Sequence, residues 1–466
     1  MFKGQNGRFK LTGIIVILVM VLGIYATIYA YSDKGSENDS SQTYSGYMSM
    51  DHMLKESYLG YIDKDQVKDN EGLENPGEGK EIAGKDNNEE INGEASSENP
   101  PINEEEKKPA PTKSNSGKKM VVGYYSSWSA YSGFTPDKID ASKLTHINYA
   151  FANIGNDLKI MLGDSQIDSS NFKMMNNLKN KNKDLKILIS VGGWTWSDKF
   201  SDVALTENSR ATFADSLVQF LISYNLDGVD LDWEYPVSGG LAKNSKRLDD
   251  KKNFTLLLKI IREKLNEQGN KDGKHYLLTF SGGTSKSYVN NIELNKIKEY
   301  VDFANVMTYD IHGNWDKYTD FNAPLYNFSS SSPHHKWSVD STVNLWLNAG
   351  FPADKLVMGV PFYGYRYDNV ANPNNGFLQS YSGGKSITYK EIVGLLNSSN
   401  YTRHYHTEAK VPWAYNGSTF ISYDDEESMG AKMQYIRNKG LGGAMIWELS
   451  QDNNEILLNS VYKGLR

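Results

Sequence analysis

Short apolar runs alternate with amphipathic stretches along the chain from residue 120 to its end. Eight runs have the length and composition of buried β-strands, and they occupy 121–125, 146–151, 186–191, 228–233, 276–280, 303–309, 356–361 and 443–447. Most of the intervening segments have helical periodicity, and in 253–265 the apolar residues on one face are Phe254, Leu257, Leu258, Ile261 and Leu265. The pattern predicts parallel βα units with helices covering the sheet.

Eight such units predict a (β/α)8 barrel, the fold class α/β, in which active sites lie at the carboxyl ends of the strands. A doubly wound open sheet is the alternative, but no glycine-rich phosphate loop follows the first run. Aromatic and acidic residues gather at the predicted strand ends, which favours a pocket for a neutral sugar. They include Tyr124, Phe151, Trp194, Glu234, Tyr235, Tyr309, Asp310 and Trp447, and Met307 lies among them.

The fourth run belongs to the most informative segment, Leu-Asp-Gly-Val-Asp-Leu-Asp-Trp-Glu-Tyr-Pro at 226–236. Because side chains two apart on a strand point the same way, Asp230, Asp232 and Glu234 are predicted to form one column. Stacked carboxylates are costly to bury unless one of them takes up a proton. The column therefore predicts a protonated acid, Glu234, at the end of a buried strand. The alternative without a functional role is an edge strand whose acidic face is exposed to solvent.

Composition removes several classes of function. The formal net charge of −7 gives no basic surface for nucleic acid. The absence of cysteine excludes disulfides, thiol catalysis and cysteine-bound zinc. The scattered histidines indicate no metal site, and we expect neither a metal nor a cofactor.

The amino-terminal quarter of the chain, residues 1–118, differs in composition from the rest. Lys3, Arg8 and Lys10 precede an uncharged apolar run at 11–31, which is long enough to span a bilayer. We expect residues 1–31 to anchor the protein in the cell membrane with the barrel outside, and a cleaved signal peptide with secretion is the alternative. Residues 32–118 are rich in Glu, Asn, Gly and Ser and predict a disordered acidic linker. The barrel is expected at 119–466.

The D-x-x-D-x-D-x-E pattern ending at Glu234 resembles the signature of glycoside hydrolase family 18, the chitinases and their relatives. Further segments are similar to family motifs: Ser-Val-Gly-Gly-Trp at 190–194, Met-Thr-Tyr-Asp at 307–310, Asn-Ala-Pro-Leu at 322–325 and Gly-Ala-Met-Ile-Trp-Glu at 443–448. The piece at 365–439 resembles the small α+β insertion of the bacterial chitinase A-type subgroup, between strands seven and eight. Family members commonly have Arg after Phe-Tyr-Gly, whereas Tyr365 precedes Arg366 here, which puts a substrate contact by Arg366 in doubt.

The resemblance implies a retaining mechanism in which the 2-acetamido group of the substrate is the nucleophile. Glu234 would be the general acid and base, and Asp232 would orient the acetamido N–H. Asp230 would share a proton with Asp232, and Tyr309 would donate to the acetamido carbonyl. Implied substrate contacts are Tyr124, Phe151, Trp194, Tyr235, Met307, Asp310, Trp315 and Trp447.

Several conspicuous residues are assigned to structure instead. Asp227 has the wrong strand parity for the pocket, so we expect a structural hydrogen bond. Trp233 points away from the acid column and is predicted to be core, as are Trp337 and Trp346. Trp128 and Trp413 remain open between sugar platform and packing.

Three functions follow from the resemblance. The first is a monomeric chitinase that binds and cleaves β-1,4-linked N-acetylglucosamine polymers. The second is an endo-β-N-acetylglucosaminidase acting on peptidoglycan or N-glycans. The third is a sugar-binding lectin on the same barrel, which is disfavoured because such relatives lose the terminal acid and Glu234 is present.

Overall fold

The computed structural model describes residues 118–329, 336–398, 400–452 and 454–466. The predicted anchor at 1–31 and almost all of the predicted linker at 32–118 lie outside the described residues. Among the residues that are described, no helix is both long and apolar enough to cross a membrane.

Strands and helices alternate through the described region. The strands in chain order are β1 Met120–Ser126, β2 His146–Ile154, β3 Ile160–Met161, β4 Lys186–Gly192, β5 Gly228–Asp232, β6 Leu277–Gly282, β7 Phe303–Val306, β8 Leu356–Pro361, β9 Tyr363–Asp368, β10 Gly383–Thr388, β11 Thr402–His406, β12 Val411–Tyr415, β13 Thr419–Ser422 and β14 Gly443–Trp447. The α-helices are α1 Asp168–Leu178, α2 Gly193–Trp196, α3 Phe200–Leu205, α4 Glu207–Tyr224, α5 Asp250–Asp272, α6 Lys286–Asn290, α7 Leu294–Ile297, α8 Val339–Asn348, α9 Tyr389–Ser398, α10 Glu426–Asn438 and α11 Ile456–Gly464. Short 3₁₀ helices occupy Ser127–Ser132, Pro136–Lys138, Ala141–Lys143, Ala353–Lys355, Pro373–Gly376 and Leu449–Gln451.

Eight of these strands form a closed parallel barrel. Their order around the barrel is β1-β14-β8-β7-β6-β5-β4-β2, and β2 pairs with β1 to close it. The strands are almost entirely buried, as their continuous apolar runs require when helices cover the outside. The predicted (β/α)8 barrel is confirmed, and it places the carboxyl ends of all eight strands around one mouth.

The sixth predicted run, 303–309, ends earlier as a strand than its apolar pattern suggests. Strand β7 stops at Val306, and the chain then curls so that the Thr308 hydroxyl donates to the carbonyl of Gly359 at 2.6 Å. A side chain at Gly359 would meet the ring of Tyr309 at 2.9 Å, so the glycine gives that ring its space. The curl turns Tyr309 and Asp310 toward the barrel mouth.

A second sheet lies between β8 and β14 in the chain. It is antiparallel, has the order β10-β9-β13-β12-β11, and includes helix α9 between its strands. This is the α+β insertion that the resemblance implied, and its first strand begins at Tyr363, two residues before the predicted start. Because β9 follows β8 directly, side chains of the insertion begin at the barrel mouth itself.

Helix α10 carries a buried ion pair. The Lys432 ammonium is completely buried and lies 2.6 and 2.7 Å from the two carboxylate oxygens of Asp424. Burial raises the pKa of Asp424 and lowers the pKa of Lys432, because both charges lose their hydration. Desolvation therefore offsets much of their attraction, and each charge depends on the other.

The tryptophans predicted to be core are placed largely as expected. Trp233 is 1% exposed and stacks on Phe200 with ring centroids 5.4 Å apart, and Trp346 is fully buried against Phe280. Trp337 is half-buried, and its indole N–H donates to the carbonyl of Thr284 and the hydroxyl of Thr342.

Candidate active site

Asp230 lies at the centre of a buried polar network inside the barrel. Its carboxylate accepts hydrogen bonds from five side chains at 2.6–3.3 Å, and the donors are Tyr124, Ser190, Thr279, Ser281 and Asn305. They come from β1, β4, β6 and β7. The strand register puts Ser190 and Thr279 directly beside Asp230, and it pairs Ser281 with Asn305 two positions nearer the carboxyl ends. Asp230 is fully buried, so it cannot contact a substrate and instead anchors the column above it.

Asp232 stands one step nearer the barrel mouth. Its side chain is 4% exposed, and its Oδ1 atom is buried without a hydrogen-bond partner among the described residues. Burial raises the pKa of Asp232 well above its ordinary value, and the negative charges of Glu234 and Asp230 raise it further. The predicted column of carboxylates is therefore present, and within it the charges of the other two acids act on Asp232.

Glu234 follows the end of β5 and is held by its backbone. Its N–H donates to the Ser197 hydroxyl at 2.9 Å, and its carbonyl accepts from the Asn244 amide at 2.9 Å. Burial raises the pKa of Glu234 to about 7, and the charge of Asp310 adds to the effect. A carboxylic acid with a pKa of about 7 is about half protonated at neutral pH, and the protonated form can act as a general acid. The charged neighbour responsible is Asp310 rather than the lower acids of the column.

Tyr309 and Asp310 enter the mouth from the end of β7. Tyr309 is 6% exposed, and its hydroxyl has only a weak contact with the sulfur of Met445 at 3.8 Å. Asp310 has a left-handed backbone with φ of 54°, and its N–H donates to the side-chain oxygen of Asn322 at 2.8 Å. Burial raises the pKa of the Asp310 carboxyl, and the hydrogen bonds donated by the hydroxyls of Tyr363 and Tyr365 oppose this rise.

Aromatic side chains line both sides of the mouth. Trp447 contacts the rings of Tyr124 and Phe151, with centroids 5.6 and 5.8 Å away, and Trp128 continues this group at 6.3 Å from Phe151. Elsewhere, Trp194 contacts Tyr235 at 6.5 Å. The half-buried rings have faces or edges for a sugar to contact, and they are Trp194, Tyr235, Trp315 and Trp447.

The structure separates the predicted contact residues into two groups. Phe151, Trp194, Tyr235, Met307, Asp310, Trp315 and Trp447 lie at or beside the strand ends that surround the mouth. Tyr124 is different: it is 1% exposed, and its hydroxyl donates to Asp230. We therefore correct its assignment from a sugar contact to a residue that holds Asp230.

Sequence reasoning about single residues missed most of the network around Asp230. Thr279 and Ser281 on β6 and Asn305 on β7 were not singled out, although they are polar residues at alternate positions of apolar strands. The same alternation predicted the acid column on β5. On β6 and β7 it is a weaker signal, because hydroxyl and amide side chains are more common in strands than carboxylates are.

Contacts explain Asp227, which was assigned to structure, and two residues whose roles were left open, Arg366 and Trp413. Asp227 accepts from the Ile187 N–H at 2.8 Å and pairs with Lys179 at 2.6 Å, as its parity predicted. Arg366 donates to Asp368 at 2.7 Å on its own strand. Trp413 stacks on His404 within the insertion, with ring centroids 4.9 Å apart.

Comparisons with known proteins agree with this geometry. The family described as glycosyl hydrolases family 18 matches residues 120–452. Chitinase A1 of Niallia circulans is 46% identical over 74% of this chain, although the match spans only 58% of that relative's length. Chitinase ChiA74 from Bacillus thuringiensis has a TM-score of 0.71 at 38% identity, covering 75% of this chain and 70% of that one. A family 18 N-acetylglucosaminidase from Paenibacillus barengoltzii has a TM-score of 0.68 at 38% identity, covering 74% and 99%. The chain belongs to glycoside hydrolase family 18.

Proposed function

We propose that this protein is a chitinase that hydrolyses β-1,4 bonds between N-acetylglucosamine units with retention of configuration. The observation that carries the proposal is Glu234, a buried acid with a pKa of about 7. It lies directly beyond Asp232, whose Oδ1 atom has no hydrogen-bond partner among the residues that the structure describes. Both acids come from the end of one strand, so they lie side by side. Asp232 is therefore poorly placed to attack the opposite face of a sugar that Glu234 protonates.

This arrangement supports a substrate-assisted reaction. Glu234 donates its proton to the leaving glycosidic oxygen, and the acetamido carbonyl oxygen attacks the anomeric carbon as that bond breaks. Asp232 accepts the acetamido N–H with its free Oδ1 atom, and Tyr309 exchanges its weak contact with Met445 for the acetamido oxygen. Glu234 then takes a proton from water, which opens the cyclic intermediate with net retention.

The named relatives support a polymer of N-acetylglucosamine as the substrate. Chitinase A1 and ChiA74 are both described as chitinases. One similar structure is described as an N-acetylglucosaminidase, so cleavage of peptidoglycan or N-glycans is the alternative that an experiment must separate.

Cleavage should require the acetamido group of the sugar at the reacting position. The purified full chain should cleave N-acetylglucosamine hexamer, and fully deacetylated hexamer should show no detectable product by mass spectrometry, because the internal nucleophile is absent. Peptidoglycan and N-glycans serve as parallel substrates. Equal cleavage of both hexamers, or a trapped glycosyl ester on Asp232, would contradict substrate assistance. Faster cleavage of peptidoglycan than of the hexamer would favour the alternative function.

We also propose that residues 1–31 anchor the enzyme in the cell membrane with the barrel outside. Support comes from the sequence alone, an uncharged run at 11–31 behind Lys3, Arg8 and Lys10. The full chain should sediment with membranes, resist extraction at high salt and be released by detergent. External protease should degrade the barrel in intact spheroplasts. Recovery of the chain with an intact Met1 end only from the medium would exclude an anchor.

A further inference from the structure

Asp310 is held from the insertion by two tyrosines. Tyr363 and Tyr365 are two residues apart on β9, so they share a face, and both hydroxyls donate to the same oxygen, Asp310 Oδ1. The bond from Tyr365 is 2.6 Å long. Asp310 thus receives support from the barrel, through Asn322, and from the first strand of the insertion.

Tyr365 also contacts the Trp315 platform. The two rings meet edge to face with centroids 5.4 Å apart. The loop that carries Trp315 is fastened to the insertion at other points, since the Tyr381 hydroxyl donates to the carbonyl of Asp316 at 2.6 Å. Tyr365 is therefore in contact with both the acid that acts on Glu234 and a sugar platform.

The described groups that face Asp310 are neutral or negatively charged. From β9 it meets the two tyrosine hydroxyls, from its own segment Tyr309, and from the end of β5 Glu234. In the part of the chain that the structure describes, no lysine or arginine contributes to the pKa of Asp310. Arg366 follows Tyr365 in sequence, but strand alternation turns it to the other face of β9, where it pairs with Asp368.

We propose that Tyr365 is a positioning residue that ties Asp310 to the Trp315 platform, and that its neutral side chain leaves the charge of Asp310 acting on the catalytic acid. The inference rests on the proposed function for its kinetic consequences. The arrangement differs from the arginine that family members commonly have after Phe-Tyr-Gly. An arginine here would donate to Asp310 but would also bring a cation close to Glu234, which favours ionisation of that acid.

Two variants separate the hydroxyl from the charge. Tyr365→Phe keeps the ring beside Trp315 and removes the donor to Asp310. We expect the KM for N-acetylglucosamine hexamer to rise about 3–10-fold, the range for loss of one hydrogen bond, with a smaller change in kcat. Tyr365→Arg keeps a donor and adds a cation. The alkaline limb of kcat/KM, expected near pH 7 from Glu234, should move to lower pH by about half a unit or more.

The matched control is Arg366→Gln, on the opposite face of the same strand, which should leave both KM and the alkaline limb where they are in the unaltered protein. Circular dichroism establishes that each variant is folded. A KM unchanged in Tyr365→Phe, or an alkaline limb unmoved in Tyr365→Arg, would overturn the proposal.

An NMR titration of Asp310 without substrate tests this inference independently of the proposed function. The carboxyl carbon of Asp310, observed by NMR in the full chain labelled at aspartate and assigned with Asp310→Asn, should titrate at higher pH in Tyr365→Phe and at lower pH in Tyr365→Arg. Titration at one pH in all three proteins would show that Tyr365 does not act on Asp310. If the unaltered chain cleaves no N-acetylglucosamine polymer, the proposed function fails, while this titration still decides the link between Tyr365 and Asp310.

Discussion

Replacing Glu234 by glutamine should lower kcat on N-acetylglucosamine hexamer by about 10²–10⁴-fold, the usual contribution of general acid–base catalysis. Glutamine keeps the size of the side chain and can form hydrogen bonds, but it has no acidic proton for the leaving oxygen. The backbone contacts of Glu234 with Ser197 and Asn244 do not involve the carboxyl group, so the strand end should keep its position. Binding of the hexamer, measured by calorimetry, should therefore persist within a few-fold.

The control for this substitution is Glu207→Gln, at an exposed glutamate in the first turn of α4, which should retain full activity. A Glu234→Gln protein with kcat within about threefold of the unaltered enzyme would show that another group supplies the proton. Loss of hexamer binding together with turnover would instead indicate that the substitution disturbs the pocket.

Replacing Lys432 by methionine should lower the free energy of unfolding by about 3–5 kcal/mol at pH 7. The substitution leaves Asp424, which is 2% exposed, without its cation and with the Ser428 hydroxyl as a remaining donor. Urea denaturation followed by tryptophan fluorescence measures the loss. Because burial already raises the pKa of Asp424, the free carboxylate should take up a proton as the pH falls. The stability deficit should therefore shrink toward acid pH.

Two control variants test whether the loss of stability comes from the stranded charge of Asp424. Lys439→Met removes a more exposed pair with Asp340 at the end of the same helix, and it should cost less than about 1 kcal/mol. Adding Asp424→Asn to Lys432→Met removes the stranded charge and should restore a large part of the loss. If Lys432→Met and Lys439→Met lower the free energy of unfolding equally, burial of the Asp424–Lys432 pair does not explain the effect of breaking it.

The fold could be predicted because its signal is local and repeated. Each barrel strand is buried on both sides, so it must be apolar throughout, and the eight runs were visible one by one. The strand that ended early, β7, shows the limit of this signal. Met307 and Tyr309 continue the pattern, but the strand ends at Val306, and the hydroxyl of Thr308 between them donates to the carbonyl of Gly359 on β8.

The sequence pattern by itself determined the barrel and the acid column, since strand alternation alone puts Asp230, Asp232 and Glu234 on one face. The insertion was implied by the resemblance to the family. The tertiary structure decided which groups act on those acids, because the partners come from elements far apart in the chain. Five donors from four strands converge on Asp230, and Tyr124 proves to be one of them. Asp310, reached from β7, adds to the pKa of Glu234, and Tyr365, reached from β9, holds Asp310. Electrostatic interaction depends on distance through space and on burial, and neither can be read from spacing along a chain.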